Sequence, residues 1–434
     1  MTTALPTYPE TQRPVTIAAI GAGNRMQTYA HYVEQHPDKV KLVAVVEPDD
    51  AKRDALAEKF GVSRAHRFTN YRDFFANPVS ADAVIIATPE NEHFNPTMMA
   101  LDAGYHVMLE KPIAQTYEQC LAIARKAREK GLRVGVCHVL RYHPLFVRIK
   151  ELVDSGRYGQ IISIMHTEEV GIDRATHSFV RGSMNREKEN NPLLLAKCCH
   201  DLDFLLWITG AHCRRVSSFG SLRWFREENA PQGSADRCTR CSIEAECPFS
   251  AIDLYRRRQQ WTRGFVPRRG ESLEARIEEE LDEGAFGRCV YRCDNNVVDN
   301  QVVTMQMTDG MLITLDINFF TQRDCRTIGI RLTEGEITCS DLTVEARHFR
   351  SRQTSVFDFS YLAGMNYHGG ADMALIADFV RAVADPSYRL QTDIEGALEA
   401  HRIIFEAERS RLSGMTVTMS PPPAAPDPDA TGGS

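Results

Sequence analysis

What most constrains this chain is a strict alternation of apolar runs and amphipathic stretches through its first third. "PVTIAAIG" is a β-branched and alanine run ending on Gly21, the pattern of a buried parallel strand. Residues 24 to 36 then carry helical spacing in Met26, Tyr29, Ala30 and Val33. "VKLVAVVEP" is a second strand, and "DDAKRDALAEKFG" a helix closed by Gly61. The strands "ADAVIIATP", "YHVMLEKP" and "LRVGVCHV" follow, with helices over 92–103 and 116–130 between them. Repeated β-α units of this kind require a parallel sheet with helices on both faces.

The first strand-to-helix junction reads "GAGNRM". Gly21 and Gly23 supply two glycines of a dinucleotide fingerprint, and Met26 stands where a third would be. Gly21 permits the tight turn, and Gly23 lets the backbone approach a pyrophosphate at the helix N-terminus. The third position serves helix–strand packing, which an unbranched methionine can satisfy at a wider spacing. Glu47 ends the next strand, 24 residues after Gly23. There it can accept bonds from both ribose hydroxyls and would repel a 2′-phosphate, so the cofactor expected is NAD rather than NADP.

A length of 434 residues fits two domains and a tail, and the 43% hydrophobic content provides a core. The net charge of −7 gives no reason to expect nucleic acid as partner, and no apolar run approaches a membrane span. "MTTALPTYPETQRPVT" lacks the features of a secretory signal, so a cytoplasmic location is expected. Residues 1–13 read as a flexible arm and 419–434 as a disordered proline-rich tail. In such a chain twelve cysteines indicate thiols, packing or a metal rather than disulfides; Cys120, Cys137, Cys213, Cys325 and Cys339 sit singly in apolar patterns.

"GAGNR", "ATPENEHF" and "EKP", in that order, resemble the Gfo/Idh/MocA oxidoreductases, the glucose–fructose oxidoreductase and inositol dehydrogenase group. "ALDAGYHVMLEKPIA", "RYHPLFVRIKELVDSGRYGQI" and "LLAKCCHDLDFLLWITG" extend the resemblance to about residues 14–415. It implies an α/β plus α+β protein. A Rossmann domain with a doubly wound parallel sheet would span 14–140. An α/β domain with a large, open, mostly antiparallel sheet would span 141–418 and assemble a homodimer or homotetramer. Alternating strands in "IISIMHTEEV", "NQVVTMQMTDGMLITLDINFF" and "TIGIRLTEGEITCSDLTVEARHF" agree, with hairpin turns at 308–310 and 333–335. Helical periods occupy 192–209, 370–384 and 394–410. Carried onto this sequence, the cofactor-binding positions are Gly21, Gly23, Asn24, Arg25, Met26, Glu47, Thr88, Pro89, His93, Glu110 and Lys111.

The resemblance places Lys111 at the substrate hydroxyl beside the nicotinamide. His200 lies on the helix 192–209, where Leu194, Lys197, His200 and Asp201 share a face. Many family members carry an aspartate four residues before this histidine; here it is Ala196, which suggests a site of two lysines and one histidine. Oxidising a secondary alcohol requires a base for the hydroxyl proton and a clamp for the developing carbonyl oxygen. His200 suits the first and Lys111 the second, or the reverse, with Lys197 binding a neighbouring hydroxyl or tuning His200. Arg141, His143, His177, Arg181 and His368 are further candidate contacts to a polyhydroxylated substrate. The activity expected is NAD-dependent dehydrogenation of a sugar, glycoside or cyclitol. A redox-neutral glycosidase, lyase or epimerase using bound NAD is the alternative, followed by an NAD-binding regulator without turnover.

An insertion over about 226–290, rich in Arg and Glu and poor in core residues, carries Cys238-x-x-Cys241-x5-Cys247; "GRCVYRC" adds Cys289 and Cys293. With Cys289 as a fourth ligand, this set fits a structural zinc, or alternatively an iron–sulfur cluster.

Overall fold

The computed structural model describes residues 13–268 and 270–420. Most of the expected N-terminal arm and of the proline-rich tail therefore lies outside the described residues. Arg13, counted with the arm, is docked: its guanidinium makes two 2.7 Å bonds to Asp82.

The first sheet contains β1 (Val15–Ile20), β2 (Val40–Val46), β3 (Arg67–Phe68), β4 (Ala83–Ile86), β5 (His106–Leu109) and β6 (Val134–Val136), in the order β3-β2-β1-β4-β5-β6. Every pairing is parallel. The strand order reverses between β1 and β4, which opens a crevice at their carboxyl ends. The expected helices form at Asn24–Gln35, Asp50–Lys59, Phe94–Asp102 and Tyr117–Lys130. The two-residue β3 and the six-residue helix Tyr71–Ala76 that follows are too short to carry a legible period.

The second sheet runs β14-β13-β12-β11-β7-β10-β9-β8-β15. Its strands are β7 (Ile161–Glu169), β8 (Cys213–Ser221), β9 (Asn300–Met307), β10 (Leu312–Asn318), β11 (Cys325–Leu332), β12 (Gly335–Ser340), β13 (Thr343–His348), β14 (Thr354–Asp358) and β15 (Val417–Thr418). Only β7 and β10 pair in parallel. The turns at 308–310 and 333–335 join antiparallel neighbours, β9 with β10 and β11 with β12. Helices Leu193–Thr209 and Ile394–Ser413 pack together, the first against β7 and the second against β8. The opposite face leaves Met165, Phe219, Val302 and Leu312 exposed.

The insertion departs from expectation in one respect. Cys238, Ala251, Ile252, Leu254, Tyr255, Phe265, Ile277 and Leu281 give it a small buried core of its own. Part of that core lies on a π-helix, Ile252–Arg257, whose wide spacing escapes a search for 3.6-residue periodicity.

Candidate active site

At the crevice, Gly21 has φ +94°, and a Cβ there would lie 2.6 Å from the Ala87 carbonyl oxygen. Gly23 differs, since a Cβ on it would meet nothing within 4 Å. It starts the helix Asn24–Gln35 with no side-chain cap, so open space adjoins unpaired amide hydrogens. Glu47 stands beside this loop and accepts from the Ala22 amide (2.8 Å) and the Asp49 amide (3.1 Å). Met26 is fully buried under the sheet, in the packing role its position requires. The loop thus fits a dinucleotide: backbone donors, open space at Gly23, and the Glu47 carboxylate beside them. Thr88 and Pro89 follow Ala87 into the same crevice, and Asn24 is exposed at its rim.

Three expected cofactor contacts are occupied otherwise. His93 is buried with its ring nitrogens facing the carbonyls of Pro112 (2.7 Å) and Thr88 (3.2 Å), so it staples two loops together. Burial lowers its pKa, and the two carbonyls work against that shift. Glu110 is buried and accepts from Arg25 Nε (2.6 Å), Tyr29 Oη (2.5 Å) and the Lys111 amide (3.1 Å). Arg25 also binds Asp372 at 2.7 Å, and Asp372 takes His368 Nδ1 at 2.7 Å. His368 therefore joins the chain Glu110–Arg25–Asp372, which ties the nucleotide helix to the helix Ala371–Ala384. Tyr29 and Asp372 had no distinguishing sequence signal, since one reads as a core position and the other as an acidic helix start.

Lys111 lies two residues past the end of β5, with Nζ donating to the Ala196 carbonyl (2.8 Å) and 3.8 Å from Glu90. Glu90 in turn accepts from Asn191 at 2.5 Å. Neither Glu90 nor Asn191 was singled out in the sequence, although Glu90 lies in "ATPENEHF". Ala196 precedes His200 by four residues, one helical turn, so Lys111 meets the helix beside the histidine. The His200 ring is partly exposed, and its Nδ1 is buried without a partner. Burial, and then the Lys111 charge and His138, hold its pKa well below the usual imidazole range. His138 lies 5.7 Å behind it, ring to ring, and His401 another 5.9 Å on.

Lys197 does not join this pair. A buried ammonium requires a counter-charge, and Lys197 finds it on β7 in Glu168, at 2.6 Å, with Asp324 at 3.5 Å. Arg326 binds Glu168 (3.0 Å) and Asp201 (2.6 Å), and Asp201 also takes His166 at 2.8 Å. Although burial pushes the Asp201 carboxyl up, Arg326 and His166 hold it well below the ordinary range. Asp324 also pairs with Arg174 at 2.8 Å, so three carboxylates face three cations, and the charge is balanced.

The other expected substrate contacts have partners within the protein. Arg141 makes a two-pronged pair with Asp203, at 2.8 and 2.7 Å. His143 caps the helix Pro144–Asp154, and burial lowers its pKa to about 4. His177 binds Tyr255 Oη at 3.0 Å and stacks on Trp261 and Phe286. Arg181 is almost wholly buried beneath the insertion, bonded to the carbonyls of Arg288 and Phe249.

Residues 15–138 match the family model described as oxidoreductase family, NAD-binding Rossmann fold. An uncharacterized oxidoreductase of Synechocystis is 28% identical over 196 residues, covering 45% of this chain and 52% of that protein. Inositol 2-dehydrogenase of Corynebacterium glutamicum is 25% identical over 202 residues, 46% of this chain and 55% of that protein. The chain spans about half the length of these curated relatives. A solved levoglucosan dehydrogenase, in complex with NADH and levoglucosan, shares the fold with a TM-score of 0.68 at 15% identity, over 94% of this chain and 99% of that one.

Proposed function

Residues 15–138 belong to the Gfo/Idh/MocA oxidoreductase family, and from that premise we propose that the chain moves a hydride between NAD and a secondary hydroxyl of a sugar, glycoside or cyclitol. The observation that carries this reading is the meeting of Lys111 and His200 within one helical turn, at the carboxyl edge of the parallel sheet. Bound NAD supplies the hydride acceptor. His200, held neutral, takes the hydroxyl proton, and Lys111 holds the oxygen as charge develops on it. Lys197 acts at a distance, anchoring the histidine helix to β7 through Glu168.

The substrate class rests on the site's polar rim and on relatives named for inositol and levoglucosan. The exposed apolar face of the nine-stranded sheet supports a homodimer or homotetramer as the working state. No helix among the described residues is long and apolar enough to cross a membrane.

The test is a panel of sugars and cyclitols incubated with NAD and followed by NADH absorbance. Net NADH with at least one polyol supports the proposal. A substrate consumed without net NADH would move the reading to the redox-neutral chemistry. NAD binding without turnover of any polyol would move it to a regulator.

A further inference from the structure

The insertion holds a second centre that hydride transfer does not use. Cys238, Cys241, Cys247 and Cys289 line one small cavity with Arg181, Phe249 and Tyr291. Three local devices bring the thiols there. A single-turn helix Cys238–Arg240 separates the first two, and another, Glu244–Glu246, leads into Cys247. An antiparallel bridge between Arg237 and Arg288 then sets Cys238 beside Cys289, reinforced by the Cys289 amide bonding the Asp236 carbonyl at 2.8 Å.

Two observations say what the cavity takes. The first concerns charge. Arg181 is 1% exposed, and its Nη1 has no partner. Among the described residues no carboxylate pairs with it: Glu244, also on the cavity wall, is bound to Arg257 at 2.8 Å. A buried guanidinium without an anion is costly, and thiolates would supply the missing charge. Donors already face the sulfurs: Arg181 Nη2 and the Ala251 amide approach Cys238 Sγ at 3.9 and 3.4 Å, and Arg292 Nη1 approaches Cys289 Sγ at 3.8 Å.

The second concerns spacing. Tetrahedral zinc with Zn–S bonds of about 2.3 Å draws its sulfurs to about 3.8 Å from one another. Among the described residues the sole set of three metal-ligating atoms within 4.8 Å of each other is His166, Glu168 and Asp201, so no three of these sulfurs are that close. The thiols are therefore spread more widely than a mononuclear tetrahedral site would hold them.

We propose that Cys238, Cys241, Cys247 and Cys289 ligate an iron–sulfur cluster, with Arg181 buried against it as the compensating cation. The cluster is a structural clamp. It fastens the insertion onto Arg181 and the π-helix Ala175–Arg181, where His177 packs against Tyr255, Trp261 and Phe286. Cys293 is left out of the ligand set: it does not line the cavity, and its thiol bonds the Cys289 carbonyl at 3.3 Å.

The full-length chain, purified anaerobically and reconstituted with ferrous iron and sulfide, should be analysed for iron, zinc and acid-labile sulfide and examined by visible absorption. Iron and sulfide in equal amounts, about two or four of each per chain, with a thiolate-to-iron absorption band, is the expected result. Cys241→Ser should lose most of that iron, whereas Cys293→Ser should keep it and serves as the folding control. About one zinc per chain without sulfide would overturn the proposal in favour of a mononuclear site. So would a chain that binds no metal after reconstitution, or one whose iron survives Cys241→Ser and Cys247→Ser together.

Discussion

At the scale of single residues, Lys111, His200 and Lys197 make separable forecasts. His200→Ala should lower kcat by roughly 10²- to 10⁴-fold, the range of general acid–base assistance, with little change in NAD affinity. Lys111→Ala should do at least as much, since it removes a positive charge beside the developing alkoxide. Lys197→Met should act on stability instead. It leaves Glu168 buried with one cation fewer, a loss of about 3–5 kcal/mol by analogy with broken buried pairs, read as a fall in Tm. A Lys197→Met enzyme with wild-type Tm and depressed kcat would return that lysine to the substrate. Sequence reasoning brought Lys111 and His200 to one place because strand end and helix turn are periodic features. It missed the direction of Lys197, because the carboxylate that captures it lies on β7, 29 residues earlier in the chain. The partners of Arg141 and Arg181 were hidden for the same reason: which buried group neutralises or bonds a cation is a property of packing, not of spacing.

At the scale of elements, the loop between β1 and the helix Asn24–Gln35 divides two glycines by role. Gly21→Ala forces a Cβ against the Ala87 carbonyl in a left-handed conformation, so it should lower Tm and weaken NAD together. Gly23→Ala meets no protein atom, so it should spare Tm and weaken NAD alone. Thermal melts with and without NAD separate them, and equal Tm losses would contradict the assignment of open space to a ligand. Glu47→Ala should narrow the preference for NAD over NADP, measured by calorimetry with both cofactors; an unchanged ratio would remove Glu47 from the ribose. The elements themselves were legible where an apolar period ran for several residues, as in β1, β2 and the helix Leu193–Thr209. Illegible were the π-helices at Ala175–Arg181 and Ile252–Arg257, whose wider turn blurs that period, and β3, which is too brief to have one.

For the whole molecule, several buried or half-buried histidines have lowered pKa values: His143 and His177 at about 4, His401 at about 3, and His138 and His200 also lowered. Unfolded, each binds a proton near pH 6.5. Between that value and about 4 the unfolded chain therefore holds more protons, and stability falls as pH falls through this window. Melts from pH 8 to 5 should show a Tm that declines below about 6.5; a flat Tm across that range would contradict the burial described. The proposed assembly through the nine-stranded sheet should be broken by a charge at its exposed face, so Phe219→Lys should shift the mass measured by light scattering towards the monomer. The central claim is that Lys111 and His200 oxidise a polyol with NAD. It is tested most directly by following NADH formation from the best substrate of a sugar and cyclitol panel, in parallel for wild type, Lys111→Ala and His200→Ala matched for Tm. The account predicts NADH from the wild type and a loss of at least 10²-fold in each variant. A folded His200→Ala or Lys111→Ala enzyme that forms NADH at the wild-type rate would contradict it.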